Sequence, residues 1–316
     1  MTRIVALCGG VGGAKLAYGL AQLLRPEELA LVVNTGDDFE HLGLTICPDI
    51  DTVTYTLAEK ENAAHGWGRN AESWHVMEEL GALQSDTWFK LGDKDIALHL
   101  TRLQLLNHGK SLTQATQALA AKLGIKHRIL PMSDTPVRTM VLTDQGELAF
   151  QDYFVRLRCE PKVTGFRFAG ADRARASAEV MAALSAPDLQ GVIFCPSNPY
   201  VSIGPILAIA DIRRALEARR VPLIAVSPIV GGQALKGPAG KMLRELGRDI
   251  SSLSVARLYG NLVDALVIDE QDRSLLQQRT TTDPELVVTR TVMSAREDRV
   301  ALARRCLALV ERLPLG

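Results

Sequence analysis

A strand, a glycine turn, a helix and a second strand follow one another within residues 3–34, and this run constrains the fold more than any other. "RIVALC" (3–8) is short, apolar and rich in β-branched residues. "CGGVGGAKL" sets Gly9, Gly10, Gly12 and Gly13 directly after it. "AKLAYGLAQLL" (14–24) carries Leu16, Gly19, Leu20, Leu23 and Leu24 on one side of a helical period, and "LALVVN" (29–34) reads as the next strand. Such a βαβ unit commits the chain to parallel strands with helices packed on the sheet. "GVIFC" (191–195), "PLIAVS" (222–227) and "ALVID" (265–269) read as further buried strands, with helices near 207–219, 238–247 and 296–312. The expected fold is α/β: a Rossmann-like, doubly wound, mostly parallel sheet.

The middle of the chain has a different grain. Residues 54–125 are mostly helical in pattern and more polar, and carry Trp67, Trp74 and Trp88. In "RTMVLTDQGELAFQDYFV" (138–155) two alternating runs flank "DQGE", the pattern of an antiparallel hairpin. The expected organisation is therefore a core from residues 1–55 and 165–316, with 56–164 as an inserted smaller α+β section.

Composition narrows the function classes. Lys plus Arg and Asp plus Glu number 36 each, so no general attraction to nucleic acid or to a membrane surface is expected. The five cysteines are scattered without metal-finger spacing, which suits reduced thiols in a cytoplasmic protein. The uncharged stretch 189–210 is interrupted by Pro196, Pro199 and Pro205 and reads as strand, loop and helix start rather than a bilayer helix.

Glycines at a strand-to-helix turn let an anion approach the backbone, and the helix start offers free N–H groups. Gly9, Gly10, Gly12, Gly13 and Lys15 are thus candidate phosphate-binding residues; the alternative is that small residues merely let helix and sheet pack. The next rim segment, "VNTGDDFEHLGLTICPDIDT" (33–52), holds five carboxylates and no Lys or Arg. Carboxylates beside a phosphate cradle would repel the ligand unless a divalent cation such as Mg²⁺ lay between them. Asp37, Asp38, Asp49 and Asp51 are the candidate ligands. An extended chain would point Asp49 and Asp51 to one side; alternatively, Asp51 caps a helix starting near Thr52. His41 is a weaker candidate, and Glu40 has no role.

In "WFKLGDKDIALHL" (88–100), Asp93 is suited to cap the helix that follows, and Lys90 and Lys94 to meet a phosphate. "CPSNPYVSIGP" (195–205) offers Ser197, Asn198 and Ser202 to a base or ribose. "SPIVGGQALKG" (227–237) offers Gly231, Gly232 and Lys236 to phosphate.

"GGVGGAKL", "VNTGDDFEHLGLTICPDIDTVTYTLA", "WFKLGDKDIALHL", "SDTPVRTMVLT", "CPSNPYVSIGPIL" and "SPIVGGQALKG", in this order, resemble the 2-phospho-L-lactate transferase family of coenzyme F420 biosynthesis. The resemblance implies a homodimeric Mg²⁺-dependent transferase. The ribityl hydroxyl of the deazaflavin Fo would attack a guanosine-diphosphate-linked phospho-acid and release GMP. The acid would be phospholactate, phosphoenolpyruvate or 3-phosphoglycerate. The family's acidic motifs fall on Asp37, Asp38, Asp49 and Asp51, with Asp51 foremost for holding metal and Fo. Its "FKLGDKD" motif implies that Lys90 or Lys94 contacts Fo or the phosphates. Asp51, Asp38, Lys90 and Lys94 are the expected catalytic group. Some members have GGTGTPK at the turn where this chain has "GGVGGAK". The competing expectations are a non-catalytic nucleotide-binding regulatory protein and an NAD(P) oxidoreductase.

Overall fold

A computed structural model describes residues 3–62 and 67–313. Residues 1, 2 and 314–316 of the expected core, and 63–66 of the inserted section, lie outside the described residues.

Seven strands make the central sheet: β1 Ile4–Cys8, β2 Leu29–Val33, β3 Arg128–Pro131, β4 Gly191–Phe194, β5 Leu223–Val226, β6 Ala265–Ile268 and β7 Glu285–Val288. Their order is 7-6-5-4-1-2-3, and every neighbouring pair is parallel. This is the doubly wound arrangement expected, with the reversal of strand order between β1 and β4.

The period of two explains how β1 and β2 bury both faces. Val5, Leu7, Ala30 and Val32 join one apolar cluster, and Ile4, Ala6, Cys8, Leu29, Leu31 and Val33 the other. The helix α1 (Gly10–Ala21) covers the second face and packs against the last helix, Arg296–Arg312. A Cβ on Gly19 would stand 2.1 Å from the Arg299 carbonyl oxygen, so glycine permits that close approach.

Among the described residues four helices stand between β2 and β3: α2 Pro48–Leu57, α3 His75–Ala82, α4 Asp93–Asn107 and α5 Leu112–Lys122. Residues 128–131, placed by pattern inside the inserted section, pair with β2 and form an edge of the core sheet. "RILP" is too short and too mixed in polarity to announce a strand by itself. The hairpin expected over 138–155 forms between Arg138–Thr143 and Gly146–Ala149, but its second strand stops at Ala149. A third strand, Val163–Ala169, pairs on the other side of the first. The stretch 189–210 resolves into β4, a loop and a helix start, and no helix among the described residues is long and apolar enough to cross a membrane.

Candidate active site

The carboxyl ends of β1 and β4 lie side by side where the strand order reverses, so the glycine turn meets the loop 195–203 there. Ser197 clasps the turn. Its Oγ donates to the Gly9 carbonyl at 2.8 Å and accepts from the Gly9 N–H at 3.1 Å. A Cβ on Gly12 would stand 2.4 Å from the Pro196 carbonyl oxygen, and one on Gly13 2.5 Å from Ser197 Oγ. Much of the glycine pattern is therefore spent on contact between turn and loop. Gly10 differs: its φ is +64° and the space around it is open. Replacing Gly12 by alanine is expected to cost roughly 1–3 kcal/mol by overpacking. A urea midpoint unchanged from wild type would show instead that the loop moves aside.

Gly10 N–H, the first amide of α1, donates to Asp49 Oδ1 at 2.6 Å. Asp49 lies in the first turn of α2, whose start is set by Pro48 at its first position. Here the structure departs from an extended "DID". Residues two apart on a helix point about 200° apart, so Asp49 and Asp51 face different neighbours. Asp51 lies inside the helix rather than capping one that starts near Thr52.

The four buried aspartates form two groups. Asp37 and Asp49 meet at Asn34, whose Nδ2 donates to Asp37 Oδ1 at 3.1 Å, Asp49 Oδ2 at 2.9 Å and the Val201 carbonyl at 3.1 Å. Asn34 Oδ1 accepts from Gly36 N–H, which fixes the amide's orientation. Burial first, and then the Asp49 charge, hold the Asp37 carboxyl well above the usual carboxylate range. Burial raises Asp49 to about 6, against the pull of the Asn34 and Gly10 donors.

Asp38 and Asp51 lie near Arg102. Burial raises Asp38 to about 8, although Arg138, Cys47 and Arg102 favour its anion. Asp38 Oδ1 is buried and has no hydrogen-bond partner among the described residues. Asp51 is clasped by the Arg102 guanidinium, whose Nη1 reaches Oδ2 at 3.2 Å while Nη2 donates to Oδ1. The counter-charge missing from 33–52 thus comes from α4. Arg102 sits inside a helical period, where an arginine ordinarily faces solvent, so the sequence pattern does not single it out. The i,i+3 spacing of His99 and Arg102 was the available signal.

Beside the α1 start, a pocket is lined by Lys15, Thr52, Tyr55, Thr56, Lys236 and Arg299, among others. Lys15 Nζ donates to the Met293 carbonyl at 2.7 Å. Burial, and then the Arg299 and Lys236 charges, lower its pKa. Arg299 comes from the last helix, a part of the chain that contributed nothing to the motif reading.

Other expected residues are engaged elsewhere. Asn198 Oδ1 accepts from the Tyr200 and Val201 N–H groups, at 2.9 and 3.4 Å, and so holds its own loop. Lys90 is exposed. Lys94 Nζ donates to the Ala71 and Asn70 carbonyls. Asp93 does not cap its own helix. Its carboxylate accepts from His75 and Val76 N–H groups at the start of α3, and Glu72 accepts from Lys94 and Asp95 N–H groups at the start of α4. The two helix starts thus exchange caps, and this brings Lys94 back against the 70–71 segment. Trp88 packs with Phe39, His41 and Phe89, and Arg156 lies over its ring. Trp74 packs in the small cluster with Leu44, Ile46, Met77 and Leu91, and Trp67 meets it edge-on.

The donor set suits a hard cation taking one or two carboxylates and completing its shell with water and phosphate oxygens. It is not a cage: among the described residues no three acidic, His or Cys side chains converge as a metal group.

The family model described as 2-phospho-L-lactate transferase CofD matches residues 4–305. The chain belongs to the CofD family. It is therefore a transferase, tied to coenzyme F420 biosynthesis, and the non-catalytic and oxidoreductase readings are set aside. Relatives include a phosphoenolpyruvate transferase of Streptomyces griseus, 38% identical over 317 residues, covering 98% of this chain and 99% of the relative. Another phosphoenolpyruvate transferase, from Kitasatospora aureofaciens, is 40% identical and covers 99% of each chain. A 2-phospho-L-lactate transferase of Methanosarcina acetivorans is 41% identical over 271 residues, covering 86% of this CofD-family chain and 87% of the relative. A crystal structure of a UPF0052 family protein from Bacillus halodurans shares the fold, with a TM-score of 0.63 at 13% identity, over 97% of this chain and 98% of that one.

Proposed function

We propose that this CofD-family enzyme joins a guanosine-diphosphate-linked phospho-acid to the ribityl hydroxyl of Fo, releases GMP, and requires Mg²⁺. The observation that carries this reading is the meeting, at the sheet's switch point, of the α1 start held by Asp49, a pocket lined by Lys15, Lys236 and Arg299, and four buried aspartates. Fold and family alone would leave the chemistry unlocalised.

Phosphoryl-type transfer asks a protein mainly for positioning and charge neutralisation. Lys15, Lys236 and Arg299 line one pocket, Arg299 paired there with Glu61, and are suited to the donor's diphosphate; Gly10 leaves the backbone approachable beside it. Asp37, Asp38, Asp49 and Asp51 are the candidate metal ligands. Held by one or two of them, the ion would offset their charge and polarise a phosphoryl oxygen. Asp38, buried and with one oxygen unengaged, is suited to accept the proton of the attacking hydroxyl. Exposed Lys90 is free to swing toward an incoming acceptor, and Lys94 braces the segment before α3. Ser197 supports the turn. A homodimer in the cytoplasm is the state we expect for the working enzyme.

The acid on the donor is the open choice, since both phospholactate and phosphoenolpyruvate enzymes are among its relatives. Purified protein incubated with Fo, Mg²⁺ and each of the three guanylylated phospho-acids in competition is expected to release GMP and form one dominant phosphodiester by mass. No GMP release with any of the three would defeat the reading.

A further inference from the structure

Arg102 is 1% exposed, and it is tied on several sides. Nη1 donates to the Thr45 carbonyl at 3.2 Å and approaches His99 Nδ1 at 3.1 Å, and the fork holds both oxygens of Asp51. A guanidinium can only donate, so His99 Nδ1 accepts here and the ring carries its proton on Nε2. Asp51 therefore faces one fixed, planar cation braced by a neutral imidazole and a backbone carbonyl.

A buried ion pair is poor value as a stabiliser, because apolar residues of similar volume often do as well. What the fork supplies is geometry: two bonds set the carboxylate's plane, which a lysine point charge would not. Each carboxylate oxygen keeps a further lone-pair site for another partner.

We propose that Arg102, held by His99 and Thr45, is a positioning residue for the transfer reaction: it fixes the orientation in which Asp51 meets the site, and itself touches neither substrate. The inference rests on the reading of Asp51 as a site residue.

The test uses the full-length enzyme with Fo, Mg²⁺ and its preferred donor, and Mn²⁺ binding followed by electron paramagnetic resonance as a readout without turnover. Arg102→Lys is expected to lower kcat about 10–100-fold and to weaken Mn²⁺ binding about tenfold, the usual effect of losing an outer-shell partner. Both KM values stay near wild type, since the fork touches no substrate. In an Asp51→Asn background the same change adds less than about threefold, because residues acting as a unit are not additive. Should Arg102→Lys fail to fold, His99→Leu serves instead. It is expected to lose activity, and His99→Gln, which keeps an acceptor, to regain most of it. An inactive Asp51→Asn enzyme beside a fully active Arg102→Lys enzyme overturns this inference alone, as does a loss that adds in full to that of Asp51→Asn. A fully active Asp51→Asn enzyme removes the reading of Asp51 and this inference with it.

Discussion

Asp51→Asn is expected to lower Mg²⁺-dependent turnover by roughly 10²–10⁴-fold, the span associated with removing a positioned acid–base or charge-bearing group. The structure adds a second effect. Asp51 is the partner of a buried guanidinium, so a neutral amide leaves the Arg102 charge under-compensated. Breaking one side of a buried pair costs about 3–5 kcal/mol, which would lower Tm and confuse a simple activity assay. The Asp51→Asn, Arg102→Met double variant separates the two effects. Removing both charges restores most of the lost Tm, while turnover stays low. Wild-type turnover in the single variant would remove Asp51 from the mechanism.

The second large effect couples metal to pH. Asp38, raised to about 8, and Asp49, raised to about 6, have folded pKa values above those of the unfolded chain. Their contribution to stability is complete below about pH 4 and is lost as pH rises through about 6 for Asp49 and about 8 for Asp38. The protein without metal is thus expected to lose stability from this source between those limits. A cation that binds the ionised carboxylates acts in the opposite sense. Mg²⁺ at about 100 times its Kd contributes about 2.7 kcal/mol; we expect this, a rise of several degrees in Tm, at pH 8.5 and little at pH 5. Asp38→Asn should flatten the upper part of the profile. Equal Mg²⁺ shifts at both pH values would remove these acids from the metal site.

How much of this was legible can be argued residue by residue. The βαβ start, the three later strands at 191–195, 222–227 and 265–269, and the last helix over Arg296–Arg312 were written in apolar periodicity, because a parallel sheet covered on both faces demands it. β3 and β7 were not, because edge strands need less apolar material. The acidic segment was legible as a cluster, but its division was not. Pro48 starts a helix at once, and the switch from a period of 2 to one of 3.6 sends Asp49 and Asp51 apart. Arg102 and Arg299 lie far along the chain from the residues they face, and periodicity carries no information about such pairings. The sequence suits Asp93 to cap the helix that follows it, whereas the exchange with Glu72 makes it the cap of the helix before.

The place of β1 in the interior of the sheet has a consequence for how the chain is made. One edge of β1 pairs with β2, which follows it closely, but the other waits for β4, Gly191–Phe194. At a synthesis rate of ~5–20 residues per second, that partner emerges on the order of ten to forty seconds later. Through that interval the nascent protein carries a bare, apolar strand edge, the kind of surface that recruits other chains. The switch point where the site forms therefore cannot close until well over half of the chain has been made, and the newborn chain's need for shelter comes before any chemistry is possible.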